Sequence, residues 1–462
     1  MGLIIDSFAG GGGASTGIKM ALGRDPDIAI NHNAEAMAMH KANHPNTKHY
    51  IEDIWGVDPL SVTKGEPVDL MWLSPDCTHF SKARGSKPRS ERIRGLAWAA
   101  VKWARRVHPR LIILENVEEF QDWCPLKKKS SMPKMHLRGV IFDKFVRHLR
   151  REGYSVSYRE LIASEYGAPT TRKRFFLIAT SDRIPGSWPT PTHGPGLLPF
   201  KTAAECIDWS IPCNSIFERK KELAEATKRR IATGIMRYVV NNPNPYIVGG
   251  LWRKKEHAEL VAALLLKYHG EHQKKRGEFR GQGLEKPFDT SSDVGRRLDQ
   301  PLPTITSSDH NSLTVCHLIR QFGTSNGASL NKPLGTIMPG GSGGKSGIVA
   351  AFLVKYYGNG NNVIPLTKPI DTIVGKDRFG LVSVMIEGET YIITDIGMRM
   401  LSPRELFDAQ GFPHDYIINP IYKGKPLTKT AQVRMCGNSV CPPMAEALIR
   451  ANYIYIEERE AA

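Results

Sequence analysis

Residues 3–22 read LIIDSFAGGGGASTGIKMAL, and the fold class turns on this stretch. Leu3 to Ala9 is a short apolar run of the kind that makes a buried strand, and it leads directly into Gly10-Gly11-Gly12-Gly13. Ala14 to Leu22 then reads as a helix. A strand, a glycine turn and a helix is how an open α/β fold brings backbone close to a nucleotide-like ligand. Many such turns carry glycine for geometry alone, so the strands that follow must supply the chemistry.

Working outward, Asp27 to Asn31 reads as a second strand and Ala34 to Asn43 as a helix. In such folds a polar residue ending the second strand meets a ribose; Asn31 stands there, with His32 beside it. Glu52-Asp53-Ile54 closes a further short segment. In Met71 to Ser81, MWLSPDCTHFS, an apolar run stops at Ser74-Pro75 and delivers Cys77 just past its end. Open sheets bind ligands at that place, which makes Cys77 a candidate nucleophile. Lys82, Arg84, Lys87, Arg89, Arg92 and Arg94 follow, with Gly85 and Pro88 and no apolar periodicity. Such a run is either a solvated face or a clamp for phosphates above the cysteine. LIILENV at 111–117 reads as a buried strand with the carboxylate of Glu115 at its tip, then Asn116. After a helix from about Val140 to Glu152, residues 155–163 and 175–180 read as a strand pair around Tyr166 to Arg174. Spacing of two puts Arg172 and Arg174 on one face.

At 462 residues, with 41% hydrophobic and 24% charged residues, the chain is ordinary for a soluble protein of two or three domains. Its net charge of +17 favours a polyanionic partner, nucleic acid first. Seven scattered cysteines without a CxxC pair fit neither a zinc site nor a disulfide framework and point to a reducing cytosol. Asp6 and the glycines after it do not fit a signal peptide, and no stretch approaches a membrane span. From Pro185 prolines and glycines multiply, and Phe217 to Val239 and Glu256 to Tyr268 read as helices. Pro301 to Ile305 (PLPTI), Pro333 to Ile337 (PLGTI) and Pro369 to Ile373 (PIDTI) repeat one pattern, with a weaker relative at Pro287 to Thr290. These read as duplicated β-hairpin units of a second, mostly β domain. Met398 to Gln410 reads as a helix capped at Ser402, and Cys436 to Val440 as the opening of the last helix, its amides suited to a carboxylate or ribose.

Six blocks in one order, DSFAGGGG from Asp6, SPDCTHFS around Cys77, ENV at 115–117, TRKR at 171–174, RMLSPRELFDAQGFP at 399–413 and GNSV at 437–440, resemble the cytosine-5 DNA methyltransferases. The resemblance implies a discontinuous catalytic domain, 1–199 and 391–462, built on a doubly wound Rossmann-like α/β sheet, and a target recognition domain over 200–390. It implies that the Cys77 thiolate adds to C6 of cytosine, that Glu115 accepts or shares the proton at N3, and that Arg174 and Arg172 hold O2 and brace the loop, with Asn116 behind them. The implied methyl donor is S-adenosylmethionine, leaving as S-adenosylhomocysteine. Its expected contacts are Phe8, Ala9, Gly10, Gly12, Asn31, His32, Asp53, Ile54, Asn438, Ser439 and Val440. Duplex DNA is the implied partner, with the target base turned out of the helix and Ser81, Lys82, Arg84, Lys87 and Arg89 against it. A monomer in a bacterial or phage-infected cytoplasm, with no metal and no membrane, completes the expectation.

The chain departs from the family pattern where Asp76 and Thr78 replace Pro and Gln around the cysteine, where Asn31 replaces an acid, and where Thr170 replaces Gln. A tRNA cytosine-5 methyltransferase shares the same blocks, but the repeat-bearing insert favours DNA. A DNA-binding regulator with a silent site is the other alternative, and the retention of Cys77, Glu115, Arg172 and Arg174 speaks against it.

Overall fold

A computed structural model describes residues 2–80, 89–128, 130–181, 185–223, 225–248, 260–267, 295–307, 311–320, 352–355, 363–365, 379–381, 383–386 and 389–454. The chain divides into two compact units: Met1–Cys206, Gln300–Asp309 and Ser402–Ala462 make the first, Ile207–Asp299 and His310–Leu401 the second.

The first unit is built on a seven-stranded sheet. Its strands are β1 (Leu3–Ser7), β2 (Ile28–Ile30), β3 (Lys48–Tyr50), β4 (Val68–Leu73), β5 (Leu111–Asn116), β6 (Ser155–Ile162) and β7 (Lys173–Thr180), in the spatial order 3-2-1-4-5-7-6. β1 to β5 pair in parallel and β7 runs antiparallel between β5 and β6. Strands buried on both faces must be apolar throughout, and β4 and β5 show why their sequences are unbroken. Met71, Leu73, Ile112 and Leu114 enter one core layer, while Leu70, Trp72, Leu111 and Ile113 enter the other.

Six helices connect the strands: α1 (Gly13–Leu22), α2 (Ala34–Asn43), α3 (Pro59–Thr63), α4 (Glu91–Arg94), α5 (Ala99–Val107) and α6 (Val140–Arg151). Trp103 of α5 and Phe142, Phe145 and Leu149 of α6 fill the first layer. Ala14, Ile18 and Ala21 of α1 fill the second with Met444, Ala445, Leu448 and Ile449 from the helix Pro442–Ile449. The C-terminal blocks thus complete the same sheet as the N-terminal ones. Adding a Cβ at Gly17 would bring it within 2.5 Å of the Ala445 Cβ, so the two helices meet at backbone distance.

The second unit is mostly β. An antiparallel sheet carries, in order, Gly295–Arg296, Leu260–Lys267, Asn311–Arg320, Glu389–Met400 and Ser383–Ile386, and Phe352–Lys355 centres a separate three-stranded sheet. The helix Glu225–Ile235 lays Ile231 and Ile235 on the larger sheet, with Val239 from the π-helical turn after it.

Several sequence expectations need correction. The helix expected from Phe217 begins at Glu225, because Ile231, Ile235 and Val239 supply the only helical stripe and 218–222 are all charged. Leu260 to Lys267, expected as helix, is a strand between two neighbours; a continuous apolar run has no period to tell the two apart. Met398 to Met400 end a strand, and the helix starts at Pro403 behind a Ser402–Glu405 capping box. Cys436 to Asn438 end the helix Lys429–Asn438 and do not open the last one, which begins at Pro442 with proline in its first turn.

The expected boundary at 200–390 also shifts. Pro301 to Ile305 belongs to the first unit, where Leu302 donates its N–H to Pro169 O at 2.9 Å and accepts from Thr171 N at 2.8 Å. Leu302 and Ile305 are buried there. The repeats at 287–290, 333–337 and 369–373 lie outside the described residues, as does the part of the cationic run before residue 89.

Candidate active site

β1 and β4 are neighbours whose following segments enter opposite core layers, Phe80 in one and Ala14 and Ile18 in the other, the arrangement beyond whose strand tips open α/β sheets bind ligands. Ser74 N donates to Ser7 O at 3.2 Å, which joins the two tips. Cys77 sits in the turn after β4, closed by Phe80 N donating to Cys77 O at 2.9 Å. Phe80 is clamped under that turn between Phe120 and Trp123, ring centroids 5.0 and 5.4 Å away, with the Arg94 guanidinium over its face. Asn116, at the tip of β5, donates from Nδ2 to Pro75 O at 3.2 Å and accepts from Val117 N. It pins the cysteine turn to the next strand.

The antiparallel β7 explains how an arginine reaches this edge. Its N-terminal end lies beside the C-terminal tip of β5, with Asn116 opposite Phe175 and Glu115 opposite Phe176. Arg174 Nε therefore stands 3.2 Å from Glu115 Oε1, and both side chains are largely buried. Cys77 is half-buried, and desolvation pushes its thiol up. Within electrostatic reach, Arg174 and Arg172 pull it down, and Glu115 and Asp76 push it up. A nucleophile, a carboxylic acid and a fixed cation at three adjacent strand tips can add to an electron-poor ring and manage the charge that moves through it.

Arg172 makes different contacts from Arg174. It precedes β7, is buried, and its Nη1 donates to Ile305 O and Gly437 O, both at 2.9 Å. Burial depresses its guanidinium, and Arg174 adds to that. It ties three distant stretches together, and of the two arginines only Arg174 meets Glu115. Thr170, at the family's Gln position, donates from Oγ1 to Pro303 O at 3.3 Å and so serves the same junction. Asp76 Oδ1 accepts from Thr78 N at 2.7 Å, so it shapes the turn as well as its electrostatics.

Of the expected cofactor residues, Phe8 to Gly12, then Asn31 and His32, then Asp53 and Ile54 follow β1, β2 and β3 in the chain. Phe8, Gly10 and Gly12 take positive φ of 60°, 53° and 92°, folding the turn, and Gly12 N donates to Ala9 O at 2.9 Å. A Cβ at Gly12 would stand 2.3 Å from the Tyr416 hydroxyl, whereas one at Gly10 would meet nothing nearer than 3.7 Å. The turn is therefore packed beneath and open above, which fits a ligand laid over Gly10. Asn31 accepts from Asn33 N at 2.8 Å, His32 is exposed, and Asp53 accepts from Trp55 N at 3.0 Å with its carboxylate half-exposed beside buried Ile54. Asn438 is exposed at the end of its helix, Ser439 donates to Met435 O at 2.7 Å, and Val440 packs on Ala14 and Ile18 in the core. Ser439 and Val440 thus support the turn from behind. Of the expected DNA contacts, Arg89 alone is described, its N–H donating to Ser131 O at 3.0 Å; Ser81, Lys82, Arg84 and Lys87 lie outside the described residues.

A buried polar chain behind the glycine turn was missed. Asp6, Ser15 and His40 are fully buried and joined by hydrogen bonds, and the signal was a carboxylate inside the apolar run Leu3 to Ser7.

Among the described residues no cluster is arranged to hold a metal ion, and no helix is long and apolar enough to cross a membrane. The family described as C-5 cytosine-specific DNA methylase matches residues 3–240 and 335–453. The chain is 32% identical over 183 residues to the Type II methyltransferase M.DdeI of Desulfomicrobium norvegicum, covering 39% of this chain and 41% of that protein. It is 25% identical over 246 residues to the Type II methyltransferase M.AquIA of Picosynechococcus, covering 49% of this chain and 96% of that protein. Among solved structures, the Entamoeba histolytica methyltransferase EhMeth aligns over 98% of both chains at 12% identity and a TM-score of 0.48.

Proposed function

Since the chain belongs to the C-5 cytosine-specific DNA methylase family, its match covering 3–240 and 335–453, we propose that it transfers a methyl group to C5 of cytosine in duplex DNA. The observation that carries this reading is the meeting of Cys77, Glu115 and Arg174 at the tips of β4, β5 and β7. The Cys77 thiolate forms a bond to C6 of the ring and C5 becomes nucleophilic. Glu115 supplies or shares a proton at N3, where electron density collects. Arg174, fixed by its ion pair, faces the developing charge on O2. After C5 takes the methyl group it loses its proton, and the sulfur–C6 bond breaks to return the thiolate. The Phe8–Gly12 turn would hold S-adenosylmethionine, which would supply the electrophilic methyl. Asn31 and Asp53 at the next two tips would meet its ribose and adenine.

The second unit would select the sequence, and the cationic run after Cys77 would hold the backbone around a base turned out of the duplex. The names of the Type II relatives favour a modification enzyme of that kind. Incubation with methyl-labelled S-adenosylmethionine and either duplex DNA or tRNA tests the reading. Label at C5 of cytosine in DNA is expected. Label in tRNA alone would replace DNA by RNA as substrate, and label in neither would overturn the enzymatic reading.

A further inference from the structure

We propose that Asp6, Ser15, His40 and His49 form a proton relay that positions the cofactor turn and couples its occupancy to protonation. The proposal rests on assigning the Phe8–Gly12 turn to S-adenosylmethionine.

Ser15 Oγ lies 2.6 Å from Asp6 Oδ2 and 2.8 Å from His40 Nε2, and His40 Nδ1 lies 2.9 Å from His49 Nε2. The first three residues are fully buried, while His49 on the edge strand β3 is partly exposed. The chain therefore leads from the protein edge to a point beneath the glycine turn. It also ties β1, which ends just before that turn, to the first turn of α1, which begins just after it. Gly12, the N-cap of α1, has no side chain to do this. Asp6 Oδ1 is buried without a hydrogen-bond partner, so the carboxyl is held by one oxygen.

Neutral histidines allow two complete hydrogen-bond patterns. With Asp6 ionised, Ser15 donates to it, His40 Nε2–H donates to Ser15, and His49 Nε2–H donates to His40 Nδ1. A proton arriving at His49 Nδ1 lets His49 pass its Nε2 proton to His40 Nδ1. His40 then passes its Nε2 proton to Ser15 Oγ, and Ser15 passes its own to Asp6 Oδ2. One proton enters, one carboxylic acid forms, neither ring keeps a charge, and all three hydrogen bonds reverse.

The surroundings suit this. Burial raises Asp6 to about 7, and burial holds His40 and His49 below the usual histidine range. Five other titratable groups lie near the chain. His44, just past α2, faces His40 and pairs with Asp25 at 2.9 Å; Lys19 of α1 meets Asp25 at 3.1 Å; Lys41 lies near His49; and Tyr416, near Asp6, donates to Gly11 O. Burial would raise Asp25, but hydrogen bonds from His44 and Lys19 outweigh it and keep it ionised. Lys19, Asp25 and His44 form a second cluster beside the chain. A sulfonium cation over the turn favours ionised Asp6, so binding S-adenosylmethionine should expel a proton, and the neutral product should expel fewer.

Ring nitrogen-15 spectra of histidine-labelled protein, taken without cofactor between about pH 6 and pH 8, read the tautomers directly. His40 and His49 should switch together with one midpoint, and S-adenosylmethionine should move that midpoint to lower pH. Ser15→Ala, which cuts the chain, and His49→Gln, which cuts it at the exposed end, should each leave His40 in one tautomer throughout. Independent midpoints, no switch, or a switch that survives Ser15→Ala would overturn the relay. Binding of S-adenosylmethionine without a shift of the midpoint would break only the coupling. Failure of S-adenosylmethionine to bind would instead count against the cofactor assignment, while the tautomer titration still judges the relay.

Discussion

On one side of the β1–β4 boundary the strand tips offer backbone: a turn of positive φ at Phe8, Gly10 and Gly12, packed below against Tyr416 and open above. On the other side, β4, β5 and β7 offer reactive groups: Cys77, Glu115 and Arg174, with Asn116 bracing the turn. The difference teaches where each kind of substitution should act. Changes on the first side alter the shape of a cradle and should appear in binding and stability. Changes on the second alter charge at reacting atoms and should appear in the rate of the chemical step.

The largest contrast is between Cys77→Ala and Gly12→Ala. Losing the proposed nucleophile should lower single-turnover methyl transfer by at least about 10⁴-fold while leaving cofactor and DNA affinity within about threefold. Gly12→Ala should do the reverse. Its added Cβ meets Tyr416 at 2.3 Å in a left-handed conformation costing about 1–2 kcal/mol, so cofactor affinity and melting temperature should both fall. With saturating cofactor its rate should stay within about tenfold of wild type. Calorimetry and single-turnover kinetics on the same preparations decide, and a Gly12→Ala enzyme with normal affinity and no turnover would erase the distinction.

The two arginines sharpen the comparison inside the reactive side. Arg174→Lys keeps a charge but loses the planar fork beside Glu115, and should lower the chemical step by about 10²-fold with little change in melting temperature. Arg172→Lys ends one bond short of the Nη1 that donates to both buried carbonyls, and should mainly lower stability, by about 1–3 kcal/mol. Denaturation midpoints and rates that exchanged places between these variants would show that Arg172, and not Arg174, faces the base.

The smallest effect is expected at Asp76. Its carboxylate pushes the Cys77 thiol up, so removing the charge should lower the thiol and move the acidic limb of the rate profile to lower pH. Asn keeps the oxygen that accepts from Thr78 N, so the turn survives. On the acidic limb Asp76→Asn should be faster by no more than about tenfold. A limb that stays in place would assign Asp76 to the turn alone.

What was legible in the sequence follows the same division. Glycines after an apolar strand, a cysteine past Ser74-Pro75 and a glutamate one residue before the end of LIILEN mark strand tips because all three signals are local. The partners of Arg172 were not legible: Ile305 and Gly437 lie 133 and 265 residues away, and nothing near TRKR announces them. Pro301 to Ile305 looked like one of three equal repeats, but only pairing with Thr171 places it in the first unit. Leu260 to Lys267 failed for another reason, since a run apolar on every face has no period. Pro442 was a readable helix start, overlooked in favour of the glycine before it.

The most direct test of the central claim is covalent capture. Duplex DNA carrying 5-fluorocytosine at the methylated position, mixed with the protein and S-adenosylmethionine, replaces the C5 proton by a fluorine that cannot leave as a proton does. The predicted result is a stable adduct of protein, DNA and one methyl group, with peptide mapping placing the bond on Cys77 and no adduct from Cys77→Ala. An adduct mapped to another residue, or methylation of ordinary cytosine with no adduct from the fluorinated site, would contradict the account.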